Sequence, residues 1–256
     1  MMKRNIDVHW LEVTDSTNNW LRMNPGLSEG VEMKVAATGY QTAGRGQQGN
    51  SWESEKDCNL LFSVLSEPSY IDAGDQFLLS QAISLAVLDA VTPLLGEKAT
   101  SLTVKWPNDI YWKEMKLAGI LIENKLLGTR LCESIAGVGL NVNQTLFRSN
   151  APNPISIRNI TGKDNELAPL LESVLEAYAE NCDILRGNGA EELRRRYAER
   201  LFRREGFHRF SDLNGDFKAR IVSVKPNGII VMEDESGSVR EYEFKQVSYI
   251  LDKHSN

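Results

Sequence analysis

The chain has 256 residues, 41% of them hydrophobic and 25% charged, with a formal net charge of −6. That composition suits a globular protein with one large domain, or a medium domain plus a small one, and its acidic balance argues against broad nucleic-acid binding, which needs a basic face. Three scattered cysteines without a C-x-x-C pair, and three histidines apart from them, argue against a zinc site or a disulfide framework and fit a reducing cytosol.

The start Met1–Asp7 lacks the apolar core of a secretion signal. No apolar run approaches the roughly 18 residues that a membrane span needs. The expectation is a cytoplasmic protein without a membrane partner.

In chain order, Ile6–Val13 alternates and predicts a strand. Asp15, Ser16, Thr17 and Asn18 are N-cap residues ahead of Trp20 and Leu21, and predict a short helix. Lys34–Thr38 is a second strand, and Asn59–Leu65 a buried one. A long helix is expected from Asp72, with Leu79, Ile83, Ala86, Val87, Ala90, Val91 and Leu94 forming one apolar stripe and Pro93 and Gly96 marking its end. Leu102–Lys105, Ile110–Trp112, Leu117–Glu123 and Leu131–Val142 read as strands, then Asn165–Leu185 and Ala190–Phe202 as helices. The run Arg194-Arg195-Arg196 reads as a solvated helix face.

Past about residue 206 the texture changes to short strands at Phe217–Val224, Ile229–Glu233, Val239–Phe244 and Val247–Leu251, separated by turn residues. This pattern predicts a small β-barrel. The expected division is residues 1–205 and residues 206–256.

Three runs carry candidate chemistry. Tyr40–Trp52 holds Gly44, Gly46 and Gly49, which let backbone approach a ligand, with Arg45 as a charged fork and Trp52 as a flat surface for a planar ring. Lys105-Trp106-Pro107-Asn108-Asp109 precedes Lys116 and Gly119, and places a carboxylate at the start of a strand where it could meet a metal ion or an amine. Ala136–Asn143 puts Gly137 and Gly139 inside a strand, a sign of close approach by backbone or ligand, ahead of Asn141, whose amide suits a base edge.

Ser16-Thr17-Asn18, Gln41–Gly46, Lys105–Asp109, Lys116–Leu121 and Gly137–Asn143 occur in this order, and the set resembles the biotin–protein ligases over nearly the whole chain. The resemblance implies an α+β fold, with a mixed central sheet flanked by helices of the class II aminoacyl-tRNA-synthetase and biotin-ligase type, followed by an SH3-like β-barrel. It implies an ATP-dependent ligase that forms biotinyl-5′-adenylate and transfers biotin to a lysine of a biotin carboxyl carrier domain, with Mg²⁺ sharing the phosphate charge. Many bacterial members carry an N-terminal DNA-binding domain; about a dozen residues precede Asp15 here, so a ligase without repressor function is expected, as monomer or homodimer.

Carried over by motif, Ser16, Thr17, Asn18 and Gln41 would contact the biotin head, and Gly44, Arg45, Gly46 and Gln47 its tail and carboxylate. Lys116 would be the main catalytic residue with Arg45 and Asp109, and Lys116 and Gly119 would touch biotin. Trp52, Asn108 and Asn141 would hold the nucleotide, and Asp109 the metal ion. The chain departs from many relatives at Gln47 and near Asn50, where they carry basic residues. A lipoate–protein ligase and a non-catalytic biotin or nucleotide sensor are the alternatives.

Overall fold

The computed structural model describes residues 4–46, 51–148 and 153–251. Seven strands form a mixed sheet: β1 (Ile6–Leu11), β2 (Met33–Thr38), β3 (Leu60–Ser66), β4 (Leu102–Lys105), β5 (Asp109–Trp112), β6 (Met115–Leu127) and β7 (Arg130–Leu140). Their order across the sheet is β1-β2-β3-β7-β6-β5-β4. Only β1 and β2 run parallel; every other neighbouring pair is antiparallel.

Successive strand side chains leave on opposite faces, and the two faces differ. Leu60, Phe62 and Val64 of β3, and Ala136, Val138 and Leu140 of β7, enter the main core. There they meet the long helix α2 (Phe77–Leu95), which packs against α4 (Leu167–Arg186) and α5 (Ala190–Glu199). On the other face, α1 (Thr17–Met23) lays Leu21 over Ala36, Leu65 and Ile135. It covers β2, β3 and β7 and reaches β6 through Asn18 and Arg22, which bond Glu123.

The single apolar stripe expected on α2 is too narrow. The helix is buried over most of its circumference because sheet and helices enclose it, whereas Leu94, assigned to that stripe, is exposed. Length and composition alone would let Ala73–Ser101 cross a membrane, contrary to the expectation that no run would qualify; 72% of its apolar 18-residue stretch is buried inside the protein, as in a core helix.

The basic run on α5 also differs from expectation. Arg194 reaches Asp75 at 2.6 Å, and Arg196 bonds Asp89 at 2.8 Å and the Asn181 carboxamide oxygen at 2.9 Å. Two of its three arginines therefore reach other helices, Arg194 also pairing locally with Glu191, while Arg195 pairs with Glu199 on its own helix. A short helix, α3 (Ile157–Thr161), was not anticipated; Ser156 and Asn159 form a capping box at its start.

The C-terminal part is a five-stranded antiparallel sheet of β8 (His208–Asp212), β9 (Gly215–Val224), β10 (Ile230–Asp234), β11 (Val239–Tyr242) and β12 (Ser248–Tyr249), in the order β11-β10-β9-β8-β12. Strand β8 was not anticipated. The sheet is consistent with the SH3-like fold expected, although no pairing joins β11 to β12 among the described residues.

This second sheet is fastened to the first. Arg203, its side chain only 7% exposed, pairs with Glu114 at 3.0 Å and donates to the Ile250 carbonyl at 3.0 Å. Removing one partner of such a charge-assisted set costs about 1–3 kcal/mol. Arg203→Met is expected to lower stability by about that amount and to speed proteolysis beyond residue 203; urea unfolding and limited digestion measure both.

Candidate active site

One cavity of about 500 Å³ lies on the α1 face of the main sheet, and residues of both sheets line it. Its floor is bare backbone. Gly119 on β6 and Gly137 and Gly139 on β7 pair across adjacent strands, Gly119 opposite Gly139 and Gly137 opposite Leu121. A Cβ at Gly139 would collide with the Trp52 ring, one at Gly119 would stand 2.7 Å from the same ring, and one at Gly137 would collide with the Asn18 carboxamide. The glycines are required because these two side chains lie directly on the sheet.

At one end is a buried polar corner. Ser16, Thr17 and Asn18 open α1, each less than 5% exposed. The Thr17 N–H donates to Gln41 Oε1 at 2.8 Å, and Thr17 Oγ1 lies 2.6 Å from Ser63 Oγ on β3. Ser63 in turn donates to Asn18 Oδ1, and Asn18 Nδ2 donates to Glu123 at 2.7 Å. Glu123 also receives Arg22 through both carboxylate oxygens at 2.8 Å. Beneath the corner, Asp15 is held below the usual carboxylate range, chiefly by the hydrogen bond from Asn19.

The glycine loop folds back over this corner. Thr42 and Ala43 donate backbone N–H groups to the carbonyls of Thr14 and Asp15, and Arg45 bridges to Ser51. Gly44 does not line the cavity; it closes the loop, since a Cβ there would stand 2.8 Å from the Trp52 carbonyl oxygen. Arg45 and Gly46 do line it, with Arg45 donating to Asn19 at 2.8 Å and lying 3.8 Å from Glu123. Gln47 and Asn50 lie outside the described residues.

In the middle stands the pair Lys116–Asp109, 2.8 Å apart, on β6 and β5. The Lys116 ammonium is 5.6 Å from the Trp52 ring centroid. Asn108 also lines the cavity, and its amide donates to the Ile120 carbonyl at 3.0 Å. Asn141 does not line it: its amide donates to the Ile155 carbonyl at 3.0 Å, so its donor is committed behind the wall.

At the far end the sequence pointed to the Lys105–Asp109 run but gave Lys105 and Trp106 no role, and it did not point to the C-terminal residues there. Lys105 at the end of β4, Trp106 in the turn that follows, and Phe244, Lys245, Val247, Ser248 and Tyr249 of the C-terminal part line the cavity there. Trp106 Nε1 donates to the Gly228 carbonyl at 2.9 Å, and its ring meets Phe244 edge-on. Among the described residues no group of three His, Cys, Asp or Glu side chains could hold a metal ion. Asp109 is the carboxylate beside Lys116.

This architecture, a seven-stranded mixed sheet with helices and a small antiparallel sheet sharing one cavity, is the biotin-protein-ligase type of fold. It superposes on a biotin protein ligase from Aquifex aeolicus in complex with biotin and ATP with a TM-score of 0.77 and 26% identity, covering 96% of this chain and 99% of that one. Residues 10–141 match the biotin/lipoate A/B protein ligase family, and the chain belongs to it.

The biotin–[acetyl-CoA-carboxylase] ligase of Mycobacterium tuberculosis is 35% identical over 141 residues, 55% of this chain and 50% of that protein. The bifunctional ligase/repressor BirA of Escherichia coli is 33% identical over 133 residues, 52% of this chain and 39% of that protein. The match thus spans half or less of these relatives' own length.

Gly137→Ala is expected to push Asn18 off Ser63 and lower stability by about 1–3 kcal/mol. Gly74→Ala, whose Cβ would meet nothing within 4 Å, is the control. Equal urea midpoints for the two variants would remove the case for a required glycine floor.

Proposed function

We propose that the chain is an ATP-dependent biotin–protein ligase. One observation carries the reading: a buried hydroxyl-and-amide corner, a lysine paired with aspartate, and an aromatic ring on a glycine floor share one elongated cavity. A cyclic urea has two donors and one acceptor, which hydroxyl and carboxamide groups such as Ser16, Thr17, Asn18 and Gln41 can match. The cavity follows the sheet from β3 through β7 and β6 to β5. At about 4.8 Å per strand, that path suits an extended acid with its head at α1 and its carboxylate near Lys116.

In the first step a biotin carboxylate oxygen bonds the α-phosphorus of ATP, and the bond to the departing diphosphate breaks. In the second, the neutral ε-amine of a carrier lysine bonds the acyl carbon, AMP leaves with the acyl–oxygen electrons, and the nitrogen gives up a proton. Both steps gather negative charge on oxygens beside the Lys116 ammonium, where a fixed cation lowers the barrier. Arg45 lies along the acid's tail and carboxylate, and Trp52 offers the purine a flat face. Asp109 keeps Lys116 oriented. A single carboxylate suits Mg²⁺, which keeps water and substrate phosphates as its other ligands; bound there, it would neutralise phosphate charge. Acceptors are lysines of biotin carboxyl carrier domains, and the proposed setting is the cytosol, with neither nucleic acid nor membrane as partner.

ATP–diphosphate exchange tests the reading. It should depend on biotin and not on lipoate. Lys116→Ala should slow it by about 10²–10³-fold while biotin, held by its head in the polar corner, still binds. Exchange driven equally by lipoate, or none with either acid, would overturn it.

A further inference from the structure

Lys105 ends β4 directly opposite Asp109, so the two side chains leave the sheet on the same face. Its ammonium lies in the cavity 4.9 Å from the ring centroid of Tyr111 and 5.1 Å from that of Tyr249, and it donates to the Tyr111 hydroxyl at 3.2 Å. Among the described residues no carboxylate stands within ion-pair distance of it; the Asp109 carboxylate pairs with Lys116 instead. Of the other cations lining the cavity, Lys116 pairs with Asp109 and Arg45 lies 3.8 Å from Glu123, while Lys245 stands near the Phe244 ring at the same end as Lys105. Burial pushes the Lys105 ammonium below the usual lysine range, and the field of Asp109 only partly opposes this. A cation kept in such a place lacks its anion.

The order of groups along the sheet says which anion fits. The polar corner sits at β3 and α1, Lys116 on β6, Asp109 on β5 and Lys105 on β4. Lys105 is two strands beyond Lys116, roughly 10 Å between backbones, on the side away from the corner. An acid whose carboxylate meets the α-phosphate at Lys116 would leave the β- and γ-phosphates pointing toward Lys105.

Resting on the function proposed above, we propose that Lys105 is the catalytic cation that receives the departing diphosphate, and that Tyr249 of the second sheet is the positioning residue that keeps its ammonium in the cavity. As the carboxylate oxygen bonds the α-phosphorus, the breaking phosphorus–oxygen bond leaves its electron pair on the diphosphate. Lys105 stabilises that new charge and in the reverse direction binds diphosphate for attack. The second half-reaction involves no diphosphate and does not call on it.

The test separates the two half-reactions in the whole chain. Lys105→Met should raise the apparent KM for diphosphate in biotin-dependent exchange by about tenfold or more and slow adenylation by about 10²-fold. Transfer from preformed biotinyl-adenylate to a carrier domain should stay within about twofold, since no diphosphate charge develops in that step. Lys105→Arg should restore most of the diphosphate dependence. Tyr249→Leu should raise the diphosphate KM while leaving the biotin KM unchanged, a split that a merely structural role would not produce. Thermal unfolding of each variant controls for folding, and the arginine and Tyr249 variants decide the matter if Lys105→Met does not fold. An unchanged diphosphate KM in these variants, or equal loss of both half-reactions, overturns the proposal while wild-type exchange still supports the ligase. Wild type without any biotin-dependent exchange overturns both.

Discussion

Bare backbone on two central strands is the constraint from which the site follows. Gly119, Gly137 and Gly139 occupy the positions of β6 and β7 that face α1, where any side chain would meet Asn18 or Trp52. Neighbouring positions of the same strands carry Ala118, Ile120, Ala136, Val138 and Leu140 into the main core on the opposite face. The sheet is thus built as a two-sided element with one side hollowed. The cost of glycine inside strands, lost packing and lost chain entropy, is met by the dense hydrophobic packing behind it. What the hollow gains is a shelf on which an aromatic ring and a carboxamide lie at backbone distance, and along which a long, thin ligand can run.

Charge along that shelf is graded. At the α1 end, Glu123 collects Asn18, Arg22 and, at longer range, Arg45, so the corner is ordered and nearly neutral. In the middle, Lys116 and Asp109 form a pair whose members can each turn to a reacting group. At the β4 end, Lys105 has aromatic rings and a hydroxyl in place of a carboxylate. A neutral hydrogen-bonding head, a carboxylate and a polyphosphate would meet these three environments in that sequence. Preorganised charge of this kind needs no rearrangement as the reaction proceeds, which is where most electrostatic catalysis comes from.

Elements with strong local signals were legible in the sequence. β3 is buried along its whole length, apolar except for Ser63 and Ser66, and α2 ends at Gly96 as read, although Pro93 lies inside the helix instead of ending it. The ordered motifs also brought most of the cavity wall into view: Ser16, Thr17, Asn18, Gln41, Arg45, Gly46, Trp52, Asn108, Asp109, Lys116 and Gly119 all line it. Misses arose where meaning depends on distant partners. Arg194 and Arg196 look solvated until Asp75 and Asp89, 119 and 107 residues away, are folded against them. Gly44 and Asn141 lie in motif runs, yet one closes a loop and the other braces Ile155. Lys105 was in plain sight, but nothing local reveals that Tyr249 will cover it. For α3 a signal does exist, the S-x-x-N spacing of Ser156 and Asn159, but five residues are too few for an apolar period to support it.

The second sheet bears on the chemistry through where it is fastened. Arg203 grips Glu114 in the turn between β5 and β6, Gly228 accepts the Trp106 indole N–H in the turn between β4 and β5, and Tyr249 lies over Lys105. Residues 200–202 add backbone hydrogen bonds to the outer edge of β4 through Val104, so this edge strand is not left open. All four contacts fall on the two hairpin turns and the edge strand that set Lys105, Asp109 and Lys116 relative to one another. β4 and β5 are only four residues each, and short edge strands hold register weakly without outside support. A shift of the second sheet would therefore be felt first as a change in the spacing of these three charged groups, well before the core beneath α2 responded.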